Sequence, residues 1–127
     1  MSSQLLVHIA EGKTAFSPGD TIGGAVSWEV EAPPAKAELN LIWSTRGKGT
    51  GDIGIARRIP FAQPQARDTR SFAFPLPQAP YTFSGQLISL IWNLELSLDP
   101  GDLSEAVEIT IAPGGREVLL PRIKTGS

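Results

Sequence analysis

Thirteen glycines and eleven prolines are scattered through the 127 residues at short intervals, and this punctuation constrains the fold more than any other feature. It interrupts every helical period and leaves apolar runs of strand length, so no helix longer than a turn is expected. Within the runs apolar residues recur at every second position, which places them on one face of an extended strand. Leu5, Val7 and Ile9 form the first such face, and Ile22, Gly24, Val26, Trp28 and Val30 the second. The third holds Leu39, Leu41 and Trp43, the fourth Ile53, Ile55, Ile59 and Phe61, and the fifth Phe72 and Phe74. The sixth is the longest, with Ile88, Leu90, Trp92, Leu94, Leu96 and Leu98 on one side and Ser89, Asn93, Glu95 and Ser97 on the other. Val107, Ile109 and Ile111 close the seventh.

About seven one-faced strands, joined by turns such as Ser17-Pro18-Gly19-Asp20 and Asp99-Pro100-Gly101-Asp102, hide their apolar sides by packing as two antiparallel sheets. The expectation is an all-β, immunoglobulin-like antiparallel sandwich. The two Pro-Gly-Asp turns share turn chemistry, not a repeated unit. Trp28, Trp43 and Trp92 lie on the apolar parity and are read as core, since a sugar platform would need them outside. One residue breaks the pattern. Arg57 shares the parity of Ile53, Ile55 and Ile59, so either a bulge turns it outward or a carboxylate pairs with it inside.

The length suits one domain. Residues 1–112 are assigned to the sandwich and 113–127 to a C-terminal extension, because Pro113-Gly114-Gly115 breaks the chain after the seventh strand. A net charge of −2 with 19% charged residues is too balanced for a nucleic-acid-binding arm or a disordered tail. The first residues, Met1 to His8, lack the basic and apolar regions of a leader, and no stretch approaches a membrane span. A cytoplasmic location is the default expectation. The absence of cysteine removes disulfides, thiolate catalysis and cysteine-based zinc or iron–sulfur sites.

Three segments, in order, resemble the N-terminal half of the arrestin fold: Phe16-Ser17-Pro18-Gly19-Asp20-Thr21-Ile22-Gly23-Gly24, then Phe72-Ala73-Phe74-Pro75-Leu76-Pro77, then Pro80-Tyr81-Thr82-Phe83-Ser84-Gly85 leading into Ile88 to Glu95. In the arrestin-like family the first opens a strand, the second lies mid-domain and the third introduces a long strand. The match spans roughly residues 5 to 112, and the order of the segments carries it. Each also has a local reason: Pro18-Gly19 turns the chain, Gly23 or Gly24 lets strands approach closely, and Pro75 and Pro77 end a strand. The family includes arrestins, the cargo-binding subunit of retromer and bacterial sporulation-control proteins, so the resemblance implies a non-catalytic scaffold that binds proteins through loops and sheet edges. Those relatives pair two sandwiches where this chain holds one, so a function needing a cleft between two would require oligomerisation. The paired lysines that sense phosphate on the first strand of visual arrestins have no counterpart in Leu5-Leu6-Val7-His8-Ile9.

Residues that could carry chemistry are few. The only histidine, His8, falls on the polar parity of the first strand with no second ligand beside it and is read as solvated. Gly49-Thr50-Gly51-Asp52-Ile53-Gly54 fits the dinucleotide fingerprint formally, but a strand follows it where a helix N-terminus should meet the pyrophosphate. The P-loop reading of Arg46-Gly47-Lys48-Gly49-Thr50 fails because Gly49 stands where a hydroxyl should bind magnesium. Turn aspartates Asp20, Asp99 and Asp102 fit Asx turns better than a calcium loop. No cofactor and no metal site is expected. Two partner-binding surfaces remain. Arg46 and Lys48 in a glycine-rich hairpin loop could grip an anionic group on a partner. Val118, Leu119, Leu120 and Ile123 of the extension form a short apolar segment suited to adding to a sheet edge, with the outward Leu87 and Ile91 as a docking place. The extension is accordingly expected to mediate homo-oligomer formation or to contact a protein partner. The function expected is a protein-interaction module, with neither nucleic acid nor a membrane span involved. The alternative is a small-ligand binder or hydrolase whose polar groups converge only in three dimensions.

Overall fold

The computed structural model describes residues 3–47, 51–84, 88–99, 103–115 and 118–119. Among the described residues ten strands follow one another: β1 (Gln4–Ile9), β2 (Ala15–Phe16), β3 (Thr21–Glu29), β4 (Lys36–Gly47), β5 (Ile53–Pro60), β6 (Arg67–Pro75), β7 (Phe83–Ser84), β8 (Ile88–Asp99), β9 (Leu103–Ile111) and β10 (Val118–Leu119). The seven long ones coincide with the seven alternating runs, and the three additional strands are two-residue bridges. Helix is confined, among the described residues, to single 3-10 turns at Ala10–Gly12 and Pro113–Gly115, as the spacing of glycine and proline demands.

One sheet has the order β1-β3-β6, antiparallel throughout. In the other, β4 lies between β5 and β8, and the far edge of β8 is shared: Leu90 and Ser89 pair with β7, and Trp92 to Leu98 pair with β9. Two short parallel bridges extend it, β2 on the end of β9 and β10 on β7. All long ladders are antiparallel, so the architecture is the expected two-sheet sandwich.

The inward parity supplies the core. Ile22, Val26 and Trp28 of β3 and Phe72 and Phe74 of β6 face Leu39 and Leu41 of β4 and Leu90, Trp92, Leu94, Leu96 and Leu98 of β8, all buried. Two of the three tryptophans are fully inside and Trp43 packs on the margin. Each buried indole sends its N–H to a backbone carbonyl beyond the sheets: Trp28 Nε1 to Gln65 O at 2.6 Å and Trp92 Nε1 to Pro80 O at 2.9 Å. Buried donors are thereby satisfied, and the loops before β6 and β7 are tied to the core.

The turn chemistry also follows the sequence. Pro18 and Gly19 (φ +82°) occupy the centre of the Ser17–Asp20 turn, closed by Asp20 N–H donating to Ser17 O at 3.1 Å, the pattern a type II turn requires. The Asp20 carboxylate accepts the Ser17 N–H at 2.9 Å, which closes the same turn from the side chain, three residues back and not in the Asx pattern expected. Of the two candidate glycines, Gly24 is the one that allows close approach, because a Cβ there would overlap the His8 carbonyl of β1.

The β5–β6 connection is held by Asp68. Its carboxylate accepts two bonds from Arg70, at 3.1 and 2.8 Å, and the N–H groups of Gln65 and Thr69 at 3.1 and 2.9 Å. The Arg70 guanidinium holds the Asp68 carboxyl below the ordinary carboxylate value; partial burial opposes this, and the two backbone donors reinforce it. A depressed folded-state value means that the stabilisation is complete above the unfolded-state value and is lost as pH falls through the folded one. Asp68→Asn should therefore flatten the acid limb of the stability curve between about pH 5 and pH 2, read by thermal melts across that range; an unchanged acid limb would dissociate Asp68 from it. In the core, Trp92→Ala or Leu94→Ala should each cost about 3 kcal/mol by leaving a cavity, measured as a lower denaturant midpoint, and mutants as stable as the parent would contradict this register.

Candidate interaction surface

Cross-strand pairing determines which side chains share the outer face of the larger sheet. Leu39 and Leu41 point inward, so Glu38, Asn40, Ile42, Ser44 and Arg46 alternate outward along β4. Their partners on β8 are Ser97, Glu95, Asn93, Ile91 and Ser89. On β5 the ladder slips by one residue. Leu41 pairs with Arg57 and Ile42 with Ile55, leaving Ala56 as an extra residue, a β-bulge. Parity on β5 therefore reverses at Ala56. Ile59 keeps its place inside, packed on the core, while Ile53 and Ile55 turn outward beside Ser44 and Ile42.

This corrects the sequence expectation for the fourth run. A bulge is present, as the odd parity of Arg57 suggested, but it turns the two isoleucines out and leaves Arg57 on the parity of Leu41. Arg57 needs no buried carboxylate because it sits at the open margin of the sandwich, exposed, with its guanidinium 5.4 Å from the centroid of the Phe74 ring of β6, a cation–π geometry. That contact also shows that β5 and β6, the edge strands of the two sheets, lie on the same side of the sandwich.

Ile53 is 72% exposed and Ile55 49%. With the half-buried Ile42 and Ile91 they form four isoleucines on three adjacent strands, near the β4–β5 hairpin. That hairpin is closed by Thr45 N–H donating to Asp52 O at 2.9 Å and Asp52 N–H donating to Thr45 Oγ1 at 2.8 Å. Arg46 lies on the same outer face, exposed, across from Ser89. Arg58 is across from Asn40 and 3.8 Å from the Glu38 carboxylate. Gly54, on the inner side between the two isoleucines, is compelled by its neighbour: a Cβ there would run into the Trp43 indole, so the ring covers the glycine.

Of the residues singled out from sequence, Arg46 and Ile91 are brought onto this one face. Val118 and Leu119 form β10 and pair in parallel with Phe83 and Ser84 of the same chain. Lys48, Leu87, Leu120 and Ile123 lie outside the described residues. His8 is exposed across from Ala25 on the outer face of the smaller sheet. Ile42, Ile53, Ile55 and Arg58 were not anticipated as surface residues; the signal was the Arg57-Arg58 pair, which no strict alternation accommodates. Depressions elsewhere on the surface have volumes of 250 to 350 Å3, and the one beside Lys36, Glu38, Ser97, Asp99 and Ser104 measures 320 Å3. Among the described residues no hydroxyl there is hydrogen-bonded to a carboxylate, and no three His, Asp or Glu side chains are grouped to hold a metal ion. No described helix is long and apolar enough to cross a membrane.

No family model and no curated protein matches the sequence. Among solved structures, the chain is similar to Spo0M, a sporulation control protein from Bacillus subtilis, with a TM-score of 0.66 and 19% identity over 88% of this chain and 50% of that one. The fold is thus the arrestin-like sandwich of that protein, and the chain spans half of Spo0M's length. A β-glucosidase from Listeria innocua, in complex with gluconolactone, also aligns, with a TM-score of 0.44 and 11% identity over 92% of this chain and 17% of that one.

Replacing Gly54 by valine should cost about 1–3 kcal/mol, because Trp43 must leave its place, and should shift the tryptophan emission to the red. An unchanged spectrum and stability would mean that the indole does not rest there.

Proposed function

We propose that this protein is a non-catalytic protein-interaction module of the arrestin-like type, engaging a protein partner through loops and sheet edges. One observation carries the reading. Exposed isoleucines are grouped beside arginines on one face, next to a sheet edge, and a grouped apolar surface with cationic margins suits a protein partner better than solvent. The core is filled by apolar side chains, and among the described residues no hydroxyl lining the 320 Å3 depression is hydrogen-bonded to a carboxylate, an arrangement compatible with binding. Spo0M is described as a sporulation control protein, and a regulatory role exercised by binding is compatible with that description. On this reading the protein works in the cytoplasm. On the same reading its extension over residues 113–127 makes a second contact, with a partner or another copy, exchanging for it the edge pairing that Val118 and Leu119 make with β7 of the same chain.

The test is affinity capture from native extract with the intact protein as bait, followed by reconstitution with the purified partner. A saturable complex is expected, weakened by Arg46→Ala at low ionic strength and much less at high, with the melting temperature of the free protein nearly unchanged. If no protein is retained and a small metabolite instead raises the melting temperature, the ligand-binding alternative replaces this one.

A further inference from the structure

We propose that the free edge of β5 is the docking strand of this module, and that its occupant is an extended segment of a partner protein bearing apolar residues at alternate positions next to two consecutive acidic residues. This rests on the binding-module reading and assigns its surface. β5 pairs with β4 on one side, and among the described residues no strand pairs with its other side. An antiparallel edge strand presents unpaired N–H and C=O groups there, and edges are ordinarily protected by charged side chains, proline, β-bulges, short length or a covering segment. β5 is eight residues long, and its protecting features, the bulge at Ala56, Arg57, Arg58 and Pro60, all fall in its second half, which leaves the stretch from Ile53 to Ile55 without any. Its bulge at Ala56 divides the edge into an isoleucine half, Ile53 and Ile55, and an arginine half, Arg57 and Arg58.

Each half specifies a neighbour. Side chains of an added strand stand beside those of β5 on the same face. On the outer face Ile53 and Ile55, with Ile42 behind them, favour apolar residues at alternate positions. Past the bulge, Arg58 on the outer face and Arg57 on the Phe74 side each favour an acidic residue, so two consecutive acids meet two consecutive arginines on opposite faces.

Charge distribution separates this occupant from a second copy of the chain. The net charge is −2, yet the exposed acids Glu105 and Glu108 lie on β9, at the far side of the same sheet. On the β5 side, Glu38 is engaged with Arg58 and Asp68 with Arg70, and the exposed Asp52 stands at the isoleucine end of the strand, away from the arginines, while Arg46 and Arg57 belong to no described ion pair. Two β5 edges would bring arginines together or set arginine against isoleucine. The β9 edge of another copy would offer Ser104, Ala106 and Glu108 on the outer face, without the apolar alternation that Ile53 and Ile55 call for. The other free edges are less suited: β6 presents Thr69, Ser71 and Ala73 outward, and β1 presents Gln4, Leu6 and His8.

The experiment uses the full chain and labelled, end-blocked peptides covering both strand orientations, Val-Thr-Ile-Thr-Val-Glu-Glu and Glu-Glu-Val-Thr-Ile-Thr-Val, each with a control carrying Lys-Lys in place of Glu-Glu. Fluorescence anisotropy should show binding of an acidic peptide roughly tenfold tighter than its lysine control at low salt, and hydrogen exchange should slow over residues 53–60. Arg57→Glu with Arg58→Glu should invert the preference between the peptides, and Ile53→Asp with Ile55→Asp should weaken both. No binding of either acidic peptide, or protection at another strand, overturns the proposal. So does a doubled mass by light scattering that Ile53→Asp with Ile55→Asp abolishes, since the occupant would then be a second copy. A protein partner captured equally well by the parent and both β5 variants would remove β5 as the docking strand and leave the binding-module reading standing. Capture of no protein at all would count against the module itself.

Discussion

The β4–β8 ladder is the constraint on which the rest of the molecule depends. It runs without a break from Lys36 opposite Asp99 to Gly47 opposite Ile88, and its inward residues Leu39, Leu41, Trp92, Leu94 and Leu96 are among the most completely buried of the described residues. A strand pair of that length, apolar on one face, must be covered, and the β1-β3-β6 sheet covers it. Because side chains alternate strictly, deciding which residues of these two strands are inside also decides which are outside. The outer positions Ile42, Arg46 and Ile91 are consequences of the same register that buries Trp92.

The core also reaches past the sheets. Trp28 and Trp92 bury their rings and place each N–H on a loop carbonyl, so the segments carrying Gln65 and Pro80 are located by hydrogen bonds whose donors cannot turn to water. Asp68 then completes the corner between β5 and β6, and Arg57 bridges the two sheets at the same margin through Phe74. The β5–β6 side of the sandwich is therefore held together by contacts that do not consume the outward groups of β5.

A single extra residue, Ala56, alters the chemistry of that side. Without the bulge the two isoleucines would lie on the core side and Gly54 outside. With it, Ile53 and Ile55 are exposed and forgo roughly 1.5–3 kcal/mol each that full burial would supply, while the glycine lies under the Trp43 indole. Exposed isoleucines kept in one place, beside arginines, contribute little to holding this fold and are well placed for holding something else.

Much of this was legible in the residues. The spacing of glycine and proline excluded long helices, and period-two alternation identified the seven long strands. Pro18-Gly19 predicted its turn, and the parity of Trp28 and Trp92 predicted their burial. Those inferences rest on local rules: strand geometry, turn dihedrals and the need to hide one face. The strands β2, β7 and β10 were not legible, since two-residue bridges are set by where distant segments meet. The run from Ile53 to Phe61 was misread for a related reason. Alternation reports a face only while pairing stays in register, and a register slip is a property of two strands together. The sequence by itself determined a two-sheet β-sandwich and most of its core, because those follow from the pattern along one chain. Only the tertiary structure decided which isoleucines face out and which arginines stand beside them, because that depends on the partner strand across the ladder.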